Sequence, residues 1–104
     1  MIRKAFLMRL KPGHQEEYAR RHKPIWPELQ LVFLQHAVHN YSIFLDRATD
    51  TLFGYVEIES EELWRQTTET EICRRWWAYM EELMQTNGDG SPVVVDLAEV
   101  FHLD

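Results

Sequence analysis

The stretch "RRHKPIWPEL", residues 20 to 29, sets an arginine pair, a histidine, two prolines and a tryptophan within ten positions. A helix running up to Arg21 does not pass comfortably through Pro24, which lacks an N–H and biases Lys23 away from helical angles. His22 is therefore expected at a helix end. An imidazole has a reference pKa of about 6.5, so it can both release and take up a proton near neutrality. The end of a helix favours its charged form, whereas Arg20, Arg21 and Lys23 favour the neutral one, and the residue types alone leave that balance open. A histidine so placed is either a solvated surface residue or a general acid/base.

Other groups able to do chemistry are aromatic. Tyr18 lies four residues before His22, on the same helical face. In "RRWW", Trp76 falls on an apolar stripe with Ile72 and Met80, which suits core packing. Trp77 lies about 100 degrees further round the helix and suits the wall of a pocket. Tyr41, in "HNY", carries a polar tip that needs a partner if buried. Four tryptophans, four tyrosines and five phenylalanines in 104 residues, several beside polar groups, fit a flat, partly apolar, neutral ligand. A tryptophan-rich core is the plainer alternative.

Several classes are excluded or disfavoured. No glycine-rich phosphate loop, GxSxG elbow, CxxC or HExxH is present. His36 and His39 form a loose HxxH without a clear third ligand, so no metal is expected. Cys73, the single cysteine, sits in an apolar helical stripe and reads as an inert buried thiol. A net charge of -6 argues against a nucleic-acid partner, and no stretch approaches the roughly 20 apolar residues of a membrane span. The N-terminal "MIRKAFLMRL" alternates apolar and charged positions, unlike a signal peptide, so a cytoplasmic location is expected.

The elements that would position these groups follow from periodicity. "IRKAFLMRL" alternates as a half-exposed strand, with Ile2, Phe6, Met8 and Leu10 on one parity. A helix over 14–22 follows "KPG", and a second begins at Pro27 with Leu29, Val32, Phe33 and His36 at helical spacing. "VHNYSIFLD" and "TLFGYVEIE" read as a hairpin joined by "RATD", with His39, Tyr41, Ile43 and Leu45 sharing a side. Residues 60–85 read as helical, broken at Thr67 to Thr70, where Thr70 caps the second segment. "TNGDGSP" ends that helix, and "VVVDLAEVFHL" supplies a last strand.

This order, βαββαβ, is the split βαβ arrangement: an α+β fold with a four-stranded antiparallel sheet and helices on one face. Residues 1–104 make one domain. The second sheet face needs a polar surface or a second copy, and a homodimer with sheet against sheet is expected, with Ile43 on the interface parity.

Together, "EEYARRHKPIWPEL", "HNYSIFLD", "FGYVEIESEELW" and "CRRWWAYMEELM" resemble the L-rhamnose mutarotase family, from the "IRKAF" start to the "EVFHL" end. The resemblance implies a ferredoxin-like protomer in a dimeric α+β barrel. It also implies a cytoplasmic, cofactor-independent enzyme of rhamnose catabolism that interconverts the α and β anomers of L-rhamnose. By position it assigns the proton donor to His22 and sugar binding to Tyr18, Tyr41, Trp76 and Trp77. Glu28 or a water is left as the group assisting His22. "LQLVFLQHA" and "NGDGSP" depart from the family pattern outside these positions. Two rival readings stay open: a monooxygenase or haem-handling protein of the same architecture, and a sugar-binding module without activity.

Overall fold

Alternation in the first residues builds β1 (Ile2–Arg9), with Phe6, Met8 and then Leu10 buried. The computed structural model describes residues 1–104. After the "KPG" turn come α1 (Gln15–Arg21) and α2 (Pro27–Gln35), separated by the corner at Pro24, where the Lys23–Pro24 bond is cis. Pro27 opens α2 in the first turn, where its missing N–H costs no helical bond. The hairpin of β2 (Val38–Asp46) and β3 (Thr51–Ile58) falls where the alternation placed it.

Side-chain caps cut the next helical stretch in two. Ser60 Oγ accepts from the Leu63 N–H to start α3 (Glu61–Thr67), and Thr70 Oγ1 accepts from the Cys73 N–H to start α4 (Glu71–Met80). The α4 helix stops earlier than the apolar pattern suggested. After a 3₁₀ turn at Glu81–Leu83, the chain pairs with the end of β1, Gln85 N–H donating to the Arg9 carbonyl at 3.0 Å and Met84 bridging Leu10.

The final strand, β4 (Val95–Leu97), is also shorter than its apolar run. It pairs only with Ala5–Leu7. β-branched alternation reports an extended chain, not a paired one. Beyond Leu97 a side-chain pair, Arg3 Nε and Nη2 donating to Glu99 at 2.9 Å each, stands in for backbone pairing. Val100, Phe101 and Leu103 are left exposed.

The four strands form one antiparallel sheet in the order β2-β3-β1-β4, the ferredoxin-like order expected. Phe6, Met8, Leu52, Val56 and Ile58 pack under Tyr18, Leu29, Trp76 and Met80 from the helices, so the core lies on one face. Across the other face, Phe44, Phe53, Leu7 and Val95 stand opposite one another strand by strand, an apolar row with Phe44 65% and Val95 55% exposed.

Two expected facings are corrected by a bulge in β2. The β2–β3 register shifts between His39 and Ser42, where Asn40 takes a positive φ of 47°. One extra residue reverses the parity. His39 stands opposite Glu57 and meets Glu59 at 2.7 Å on the open face, away from Tyr41. Ile43, opposite Gly54, faces the helices and not the open face where the second sheet was expected. The open-face residue is Phe44.

Gly54 lies between Phe6 and Ile43, and a Cβ there would come within 2.4 Å of the Phe6 ring. Gly54→Ala is expected to lower the unfolding free energy by about 1–3 kcal/mol, the usual cost of overpacking a core. Urea melts check this, and a parent-like midpoint would show that the ring shifts aside without cost.

Candidate active site

His22 closes α1 as its C-cap residue, one helical turn after Tyr18. Its Nδ1 lies 2.8 Å from the Tyr18 carbonyl oxygen. A carbonyl only accepts, so Nδ1 carries a hydrogen and donates it. In the neutral ring the basic lone pair therefore sits on Nε2. Burial lowers the imidazole pKa below its usual value, and the hydrogen bond to the Tyr18 carbonyl offsets this only in part.

The neighbouring arginines do not set that balance, because both are paired. Arg20 donates to both Glu17 oxygens at 2.7 and 2.5 Å, and Arg21 reaches Glu17 and Glu82 at 2.6 Å each. Arg20, then Arg21, hold the Glu17 carboxyl down at about 2.

Aromatic rings enclose the imidazole. Tyr18 stacks on it at 4.3 Å between centroids, and Trp76 meets it edge to face at 5.2 Å. Trp26 in turn meets Trp76 edge to face at 5.2 Å. A second cluster gathers on Tyr41, with Phe33 at 5.4 Å, Trp64 at 5.8 Å and Phe6 at 6.2 Å. Burial pushes the Tyr18 and Tyr41 phenols well above the ordinary tyrosine range, with no hydrogen bond contributing at either hydroxyl. Both phenols stay protonated near neutrality and are free to donate.

His22, Tyr18, Tyr41, Trp76 and Trp77 all line one cavity of about 870 Å³ between the sheet and the helices. Trp76 serves the core and the cavity together, being buried while forming part of the wall, whereas Trp77 is half-buried. The cavity takes further groups that were not among the expected site residues: Phe6 and Trp64 among the aromatics, Lys4 and Asp96 among the polar ones. Phe6 was readable as an inward strand residue. Trp64 carried no signal beyond its place in a helix.

The remaining candidates lie elsewhere. Glu28 is exposed on the first turn of α2 and is not in the cavity wall. The HxxH is split, since His36 Nδ1 is held by the Val32 carbonyl at 2.7 Å and His39 by Glu59. No three or more His, Cys, Asp or Glu side chains gather to hold a metal ion. Cys73 touches the cavity, but burial pushes its thiol up to about 11, which keeps it protonated.

The family model for L-rhamnose mutarotase matches residues 3–103. The chain belongs to the L-rhamnose mutarotase family. It is 56% identical over 103 residues to the L-rhamnose mutarotase of Shigella flexneri, covering 99% of both chains. With that of Escherichia coli O157:H7 it shares 57% identity over the same length and coverage. The solved L-rhamnose mutarotase of Formosa agariphila superimposes with a TM-score of 0.92 at 38% identity, covering 100% of each chain. A solved antibiotic biosynthesis monooxygenase matches at a TM-score of 0.64 and 16% identity, over 96% of this chain and 99% of its own, a likeness of fold alone. This chain thus shares the sheet and helices with that monooxygenase.

Proposed function

We propose that this protein interconverts the α and β anomers of L-rhamnose, with His22 as the proton carrier. The observation that supports this most is the half-buried imidazole with one nitrogen tied to the Tyr18 carbonyl, beside two protonated phenols in an aromatic cavity. The cavity volume, about 870 Å³, lies within the range usual for small-ligand sites.

Anomer exchange needs two proton movements at neighbouring oxygens on one carbon. Neutral Nε2 accepts the proton of the anomeric hydroxyl as the bond from C1 to the ring oxygen breaks, leaving the aldehyde. The imidazolium returns that proton to the former ring oxygen. Rotation about C1–C2 presents the other face of the carbonyl, and the same steps run backwards close the ring as the other anomer. One group serves both directions, and proton transfer of this kind contributes roughly 10²–10⁴-fold. Protonated Tyr18 and Tyr41 donate hydrogen bonds that orient the sugar hydroxyls, and the Trp76 and Trp77 faces take its C–H surface and methyl group. The reaction draws on no cofactor.

The same reading has residues 1–104 acting as one mutarotase domain, in the cytoplasm, where a lone thiol such as Cys73 stays reduced. It also has the protein working as a homodimer. The row of Phe44, Phe53, Leu7 and Val95 on the open sheet face is apolar surface that a second sheet would cover.

NMR saturation transfer between the anomer signals of L-rhamnose tests the activity. Exchange is expected to rise with added protein and to stay at the protein-free rate with His22→Asn, which keeps a hydrogen-bonding side chain but cannot relay a proton near neutrality. Parent-rate exchange in folded His22→Asn would remove His22 from this role. Sedimentation tests the dimer: a mass twice the 12.5 kDa of one chain is expected, reduced to a single chain by Phe53→Asp, because an unpaired charge in a dry interface is costly. A parent of single-chain mass at micromolar concentration would reject it.

A further inference from the structure

The α1 helix is short, and apart from Tyr18 in the core it is fastened by two side chains, one near each end. At its start, Gln15 Nε2 donates to Asp50 Oδ1 at 2.7 Å and to the Arg47 carbonyl at 3.0 Å, tying it to the β2–β3 turn. At its other end stands Arg21, whose side chain is only 10% exposed. Its Nε donates to Glu17 at 2.6 Å, Nη1 to the Tyr79 carbonyl at 2.5 Å and Nη2 to Glu82 at 2.6 Å, and its guanidinium lies 4.2 Å over the Tyr79 ring. Tyr79 itself packs at 5.8 Å on Trp76, the ring that meets His22 edge to face, and at 5.3 Å on Trp26. Arg20 shares the charge and the Glu17 partner but is 67% exposed, and it meets α4 at the Tyr79 side chain without reaching a carbonyl or carboxylate there.

We propose that Arg21 is a positioning residue for His22: by fastening the last turn of α1 to the end of α4, it sets the imidazole against Trp76 and directs its free nitrogen into the cavity. The planar guanidinium can fill this place because it offers N–H groups in several directions while stacking on a ring, which an ammonium cannot do. The role of Arg21 in the reaction rests on the reading of His22 as the proton carrier. Its role in the geometry does not.

The test compares Arg21→Ala, Arg21→Lys, Glu82→Gln and Arg20→Ala by anomer exchange and by the His22 Hε1 resonance, which the rings of Tyr18 and Trp76 displace. Arg21→Ala is expected to lower kcat by about ten- to a hundredfold with KM little changed, the pattern of a misplaced catalytic group. Its Hε1 resonance should move as well. Arg21→Lys and Glu82→Gln should shift both readouts in the same direction by less, and Arg20→Ala should leave both at parent values. Parent kcat and Hε1 resonance in folded Arg21→Ala would overturn the proposal even if the melting temperature fell, and so would equal losses in Arg20→Ala. Should Arg21→Ala fail to fold, parent values in both Arg21→Lys and Glu82→Gln overturn it. A parent protein without anomer exchange would count against the functional reading, while the resonance comparison still decides the place of Arg21.

Discussion

The hydrogen bond from His22 Nδ1–H to the Tyr18 carbonyl is the constraint on which the candidate site depends. It exists because α1 ends at that residue. The last carbonyls of a helix have no intrahelical partner, and Pro24 prevents a further turn from supplying one. An imidazole at the C-cap answers one of those carbonyls, and in doing so its tautomer is chosen. Burial then outweighs the pull of the same bond toward the charged ring: the pocket disfavours the imidazolium, so the unbonded nitrogen is a free base and not a fixed cation.

That arrangement joins stability to function in the surrounding rings. Trp76 and Phe6 belong to the core and to the cavity wall at once. The far end of the Phe6 ring sits over Gly54, where no side chain stands, and the ring makes an edge-to-face pair with Tyr41. Packing that holds the sheet to the helices therefore also shapes the space beside the imidazole. Close-packed interiors transmit small displacements, so a change of one methyl group at Gly54 is felt at the site.

Much of this was legible in the residues. The strand alternation of β1, the hairpin around "RATD" and the Thr70 cap all rest on local rules, and the structure follows them. The four-residue spacing of Tyr18 and His22 placed both rings on one face, as found. What escaped depends on the third dimension. Asn40 tolerates a positive φ, but nothing in "HNY" declares a bulge, so His39 was grouped with Tyr41, Ile43 and Leu45, which do share a face, and Ile43 was expected at the interface. The charge balance at His22 was open because the competitors considered were the helix end and the cations. Burial decided it, and ion pairs with Glu17 and Glu82 occupied the arginines. Trp64 and Asp96 reach the cavity only through the way α3 and β4 fold back on β1.

The most direct measurement is of the proton itself, by ¹⁵N NMR of the His22 imidazole as pH is lowered. A depressed pKa predicts a neutral ring at pH 7 with the hydrogen on Nδ1, protonating only below about 6.5, the ordinary histidine value. A ring with its hydrogen on Nε2, or an imidazolium still present at pH 7, would contradict the claim that Nε2 is the free base facing the cavity.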